Sequence, residues 1–255
     1  MALNNEIQFH EKKYYFGEDF SYRYKNEPIW RKHWERKMDS IYSLIGDLDK
    51  NACILNIGAG TGPVEFFFTK RNNRYKNLIS SDISKNAISN IKILDLNNNL
   101  LICDATTLPF KDNSIEAIFF IGILHHIPKE SINKLFFEIE RVIKKEGFII
   151  AIEPVRNKTR DIVKKLFHSK WQEIHSDDER DLEWHELIKL KDILQIQEIA
   201  YKPLGLFIDL LINVKINKQV QTILYYLYSL DMIFESFGIG WSQVIYIKFN
   251  KKVVS

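Results

Sequence analysis

The stretch "LHHIP" sets His125 and His126 just past one apolar run, and Glu153 closes the next. A histidine is the usual side chain for taking a proton near neutral pH, and a carboxylate beside it fixes the tautomer. Glu153 is the candidate orienter, with His125 and His126 as candidate bases. Upstream, "CILNIGAGTGPVEFF" (53–67) puts Gly58, Gly60 and Gly62 at alternate positions, in a chain with only 10 glycines among 255 residues. Glycine takes positive φ and lets the backbone lie against another surface with no Cβ between. A strand-to-helix turn pressed on a ligand needs both properties. Dinucleotide sites use G-x-G-x-x-G, whereas the spacing here is G-x-G-x-G followed by Pro63. Asp82 follows Gly62 by 20 residues at the end of a second apolar run. There a carboxylate can accept from both ribose hydroxyls of a nucleoside. Asp104 and Ala105 end a third run, where the carboxylate can accept from an adenine amino group and a backbone N–H can donate to the ring. Singly, each aspartate is also an ordinary turn residue; with the glycines they describe a nucleoside site.

Such residues converge only if a parallel sheet carries them. "ACILNI" (52–57), "NLISSDIS" (77–84), "NNLLICDA" (98–105), "SIEAIFFIGIL" (114–124) and "GFIIAIEP" (147–154) read as five strands. Between them, 62–70, "KNAISNIKIL" with Ser84 as N-cap, and "PKESINKLFFEIERVIKK" read as helices, the last stopped by Gly147. Strands alternating with helices imply βαβ crossovers, with ligands bound beyond the carboxyl ends of the strands. Asn56, Asp82, Asp104, His125 and Glu153 all fall at such ends. Further on, "KPLGLFIDLLINVKI" offers a sixth strand, "KQVQTILYYLYSLDMIFESFG" a helix of about five turns, and "GWSQVIYIKFNKK" a last alternating strand. Trp30, Trp34, Met38, Ile41 and Ile45 form a helical stripe near the N-terminus. The reading is an N-terminal helical lid over 1–48 and an α/β domain over 49–255, with a helical cap inserted at about 156–190.

At this point the sequence resembles the class I S-adenosylmethionine-dependent methyltransferases, in their small-molecule, methyltransferase type 11-like branch. "ILNIGAGTG" resembles the family's first motif and "SSDISKNAI" the acidic end of its second strand. "CDATTLPFKDNSIEAIFFIGILHHIP" is similar to its adenine-binding and fourth-strand region, and "EIERVIKKEGFIIAIEP" to the helix and strand that follow. The resemblance covers about residues 50 to 155. It implies a Rossmann-like doubly wound sheet of seven strands, mostly parallel with the last antiparallel. It also implies S-adenosyl-L-methionine as cofactor, with Gly58, Gly60 and Gly62 along its methionine part, Asp82 on the ribose, and Asp104 and Ala105 on the adenine. Ile121, at the fourth strand's end, joins the expected cofactor contacts. Asn56 departs from the pattern: the family commonly has an acidic residue there, near the cofactor's amino group, and Asn accepts through its carbonyl but brings no charge.

Composition narrows the acceptor. Net charge is +3 with the basic residues scattered in pairs, unlike the concentrated stripe of a nucleic-acid footprint. No apolar run reaches membrane-spanning length, and Cys53 and Cys103 read as reduced thiols suited to a cytoplasmic location. The N-P-P-[YF] grip on planar nitrogens is absent, as is an acidic residue at the fourth strand's end, where metal-dependent relatives need one. His168, His175 and His185 match no zinc spacing. The expectation is metal-independent O- or C-methylation of a small-molecule, partly apolar acceptor in a biosynthetic pathway. The alternatives are a non-catalytic cofactor-binding scaffold and, behind it, an RNA methyltransferase. The aromatic stripes serve equally as pocket walls, core or a homodimer face.

Overall fold

Strands buried on both faces read as unbroken apolar runs, and two such runs meet at the centre of the sheet. There β1 (Cys53–Ile57) pairs in parallel with β4 (Ile115–Ile121). The computed structural model describes residues 20–71, 75–93, 99–156, 180–186, 196–205, 229–237 and 242–249, with a few isolated positions. The remaining strands are β2 (Asn77–Asp82), β3 (Leu100–Ile102), β5 (Ile143–Glu153), β6 (Ile196–Leu204) and β7 (Ser242–Phe249). They form one seven-stranded sheet in the order β3-β2-β1-β4-β5-β7-β6. β7 runs antiparallel to both β5 and β6, and every other neighbouring pair is parallel. The order reverses between β1 and β4, so a crevice opens beyond their carboxyl ends.

Alternation along the strands divides the core between two faces. On one, Leu55, Ile57, Ile118 and Phe120 meet Leu135, Phe136, Ile139 and Val142 of α5 (Ile132–Val142). On the other, Ile54, Ala117, Phe119 and Ile150 meet two helices. These are α2 (Pro28–Ile45), through Met38, Ile41 and Ile45, and α3 (Pro63–Lys70), through Val64, Phe67 and Phe68. Each fully enclosed side chain of this size contributes roughly 1.5–3 kcal/mol. The stripe expected near the N-terminus is thus a core face: Trp30, Met38, Ile41 and Ile45 are buried. Ahead of it, α1 (Phe20–Asn26) folds back so that Phe20 packs its ring against Trp30, Trp34 and Phe66. Two more α-helices among the described residues are α4 (Lys85–Ile93) and α6 (Ser229–Ser236). Among the described residues no helix is long and apolar enough to cross a membrane.

Two element boundaries differ from expectation. The helix expected to run to Gly147 stops at Val142, and Lys144, Lys145 and Glu146 already lie in β5. Sheet pairing wins because Ile143 registers with Ile115, while Asn113 and Ser114 donate to the last helical carbonyls, Arg141 and Val142. Gly147 therefore marks a register irregularity in the strand: a Cβ there would sit 2.5 Å from Ile143 Cγ1. The sixth strand is "IQEIAYKPL", which shares only its last three residues with the expected run and pairs antiparallel with β7 from Glu198 to Leu204. Most of 206–228 and of the cap at 156–190 lies outside the described residues.

Candidate active site

All three glycines of the turn are left-handed, with φ of 71° at Gly58, 55° at Gly60 and 80° at Gly62. Gly58 carries a second constraint, since a Cβ there would lie 2.6 Å from Cγ1 of Ile123, in the loop after β4. The loops after β1 and β4 are therefore in direct contact. Gly60 donates its N–H to Asp82 Oδ2 at 2.9 Å, and Ser84 donates its N–H to Asp82 Oδ1 at 2.8 Å. Ser84 Oγ in turn accepts from Ala87 N–H at 3.1 Å and caps α4, as its sequence position suggested. Asp82 thus straps the turn to the next helix.

This donor set decides which cofactor fits. A pyrophosphate needs the turn's amides, yet the Gly60 amide already points at a carboxylate. Acceptors for ribose hydroxyls beside a turn free of cations suit a positively charged adenosyl sulfonium, so the residues present fit S-adenosylmethionine.

Beneath the turn lies a group that sequence reasoning missed. Glu65, in the first turn of α3, is only 1% exposed and faces the sheet. Its Oε1 accepts from Asn56 Nδ2 at 2.8 Å and from Ser80 Oγ, while its enclosed Oε2 has no partner among the described residues. Burial pushes the Glu65 carboxyl above the usual carboxylate range, against the lowering by Ser80 and Asn56. The carboxyl lacking at Asn56 is thus supplied one layer back, from the helix. Holding Asn56 Nδ2 fixes the amide's orientation and leaves its carbonyl for a donor. The available signal was one acid inside the apolar helix "PVEFFFT".

The loop after β3 is clamped from α5. Asp104 Oδ1 accepts from Thr106 N–H at 2.8 Å, forming a local turn, and Ala105 beside it is partly buried. Arg141 donates to the carbonyls of Phe110 (2.6 Å) and Leu108 (2.9 Å), and to Asp112 and Glu138. Glu138 Oε2 accepts from Leu108 N–H at 2.8 Å. Its hydrogen bond to Arg141 holds the Glu138 carboxyl below its usual range.

At the ends of β4 and β5 the expected pair meets. Glu153 is fully buried; its Oε1 accepts from Ile123 N–H at 2.8 Å and Leu124 N–H at 2.9 Å, and its Oε2 lies 2.7 Å from His125 Nδ1. One carboxylate therefore folds the β4 loop and aligns the imidazole, whose Nδ1–H donates to it. The ring of His126 lies against that of His125, centroids 4.2 Å apart. Ile121, partly buried, ends β4 and packs on the α2–α3 side of the sheet. Part of the cap closes over this loop, where Arg180 donates its N–H to His125 O at 3.3 Å and Arg156 donates to Leu182 O at 2.8 Å. His185 pairs with Glu183, and His168 and His175 lie outside the described residues. Cys53 and Cys103 are free and half-buried, and burial lifts the Cys103 thiol to about 11.

Comparison with known proteins agrees with this geometry. A methyltransferase domain model matches residues 55–151. An uncharacterised protein of Methanocaldococcus jannaschii is 30% identical over 119 residues, which is 47% of each chain. The match thus spans about half the length of that curated relative. Among solved structures, a SAM-dependent methyltransferase of Thermotoga maritima superposes with a TM-score of 0.64 at 17% identity, covering 93% of this chain and 98% of that one. A chain from the complex of the Haloferax volcanii Trm112 methyltransferase activator with its methyltransferase gives 0.64 at 15%, over 95% and 98%. Geranyl diphosphate C-methyltransferase of Streptomyces coelicolor, solved with S-adenosyl-L-homocysteine, gives 0.54 at 11%, over 85% and 79%. Residues 55–151, from β1 into β5, thus match the methyltransferase domain, and the sheet around them has the fold of these S-adenosylmethionine-dependent methyltransferases.

Proposed function

We propose that this methyltransferase acts on a small-molecule acceptor, at a hydroxyl or an acidic carbon, with His125 as general base. The single observation that carries the reading is the fully buried Glu153, 2.7 Å from His125 Nδ1 and bonded through its other oxygen to two loop amides. So much polar construction around one imidazole sets its tautomer and aim, which a packing histidine does not need. Bound S-adenosylmethionine supplies an electrophilic methyl on a sulfonium, and the protein's contribution is positioning and desolvation. Asp82 accepts from the ribose, Asp104 and Ala105 meet the adenine, and Asn56 turns its carbonyl to the ammonium group. Ile121 and the glycine turn line the methionine part. His125 Nε2 removes the acceptor's proton, and Glu153 steadies the imidazolium that forms.

Two variants test the assignment. Asp82→Ala removes the ribose acceptor and the strap on Gly60, and calorimetric titration with S-adenosylmethionine should find no measurable affinity. Affinity kept within about threefold would remove Asp82 from the ribose. A mass-spectrometric screen for a gain of one methyl identifies acceptors. With one in hand, His125→Ala should slow transfer by about 10²–10⁴, and an unchanged rate would leave His125 a packing residue.

A further inference from the structure

The segment 180–186 carries a guanidinium that the scheme above does not use. Leu182 bridges to Val155, and Arg180 lays its backbone on the His125 carbonyl, so Arg180 stands beside the proposed base and just past Glu153. Its Nη1 donates to Glu186 Oε2 at 2.6 Å, and the same oxygen accepts from Glu183 N–H at 3.0 Å. Nε and Nη2 are enclosed and have no acceptor among the described residues, although the side chain as a whole is 23% exposed. Those two nitrogens form one edge of the planar group, the fork that matches the two oxygens of a carboxylate or phosphate. A guanidinium stays charged at any physiological pH, and enclosed donors with nothing to bond are costly. Glu186 meets the other corner through one oxygen only. It fixes the plane of the guanidinium and leaves the fork for a ligand.

We infer that the methyl acceptor carries an anionic group, a carboxylate or a phosphate, gripped by the Nε–Nη2 edge of Arg180. This rests on the acceptor lying beside His125, as proposed above. The anion anchors one end of the acceptor at Arg180 while the nucleophilic atom lies at the imidazole.

The test uses the full chain saturated with S-adenosylhomocysteine, titrated with inorganic phosphate, benzoate and neutral benzamide and followed by NMR. At least one anion should bind saturably while benzamide does not, and which anion binds tells phosphate from carboxylate. Arg180→Gln should weaken that binding at least about tenfold. Arg180→Lys, which keeps the charge but not the fork, should weaken it also and serves if the first variant does not fold. S-adenosylhomocysteine affinity should stay within about twofold in either. Absence of saturable anion binding, or equal binding by both variants, overturns the inference. No turnover is read, so loss of the His125 assignment would register only in the transfer assay.

Discussion

Glu153→Gln is the sharpest probe of the site, because it changes one atom of a group with three partners. The Gln carbonyl can take over the role of Oε1, accepting from Ile123 and Leu124 N–H, which lie at 2.8 and 2.9 Å. The reverse orientation would aim an NH2 at two N–H donors, so it is disfavoured. The amide nitrogen must then face His125 Nδ1, now 2.7 Å from Oε2, and donate to it. His125 is forced to carry its proton on Nε2, the wrong nitrogen for a base. Three bonds to a carboxylate become bonds to an amide, each weaker by about 1 kcal/mol, so stability should fall by about 2–3 kcal/mol. A domain of ordinary stability survives that. Glu153→Ala would instead strand three buried donors at about 1–3 kcal/mol each and endanger the fold. The assay is imidazole ¹⁵N chemical shift, which reports the tautomer without any substrate, alongside urea denaturation. Methyl transfer should drop by about 10²–10⁴. An Nδ1–H tautomer persisting in the variant, or an undiminished rate on an identified acceptor, would refute the reasoning.

Two further outcomes follow from buried polar groups. Burial raises the Glu65 carboxyl, so the native state binds that proton more tightly than the unfolded chain does. Its contribution is then greatest on the acid side and is lost as pH rises from about 4.3 towards the folded value. Relative to wild type, Glu65→Gln should gain stability as pH climbs from about 4 to about 7, measured by urea denaturation; a difference flat across that window would refute it. Arg141→Ala frees the loop carrying Leu108, Phe110 and Asp112. Cofactor affinity should fall several-fold with a lowered Tm, and Arg141→Lys should not restore it because an ammonium lacks the fork that reaches two carbonyls and two carboxylates. Wild-type affinity in the alanine variant would detach the clamp from the adenine side.

Much of this was legible because strand ends and apolar runs coincide. The glycine turn, Asp82, Asp104, His125 and Glu153 could be placed at one edge from sequence alone, and the structure brings His125 and Glu153 into contact. What could not be read depended on distant partners. The start of β5 is polar, "KKEG", and becomes strand only because Ile115 offers Ile143 a partner. β6 is plain beside the apolar run that follows it, and only its register with β7 singles it out. Glu65 is a single acid in an apolar helix, and only Asn56 and Ser80 beneath it give it a role. Arg180 and Arg141 likewise acquire meaning only from carbonyls and carboxylates contributed by other elements.

The missing side chain at position 58 has a wider effect. Because Ile123 occupies that space, the two strand-to-helix bends flanking the cleft mesh like gear teeth. Neither can be enlarged, or borrowed from a homologue, without recutting the other. Engineers seeking a new acceptor range should therefore graft both bends as a unit, or leave both alone and work on the cap.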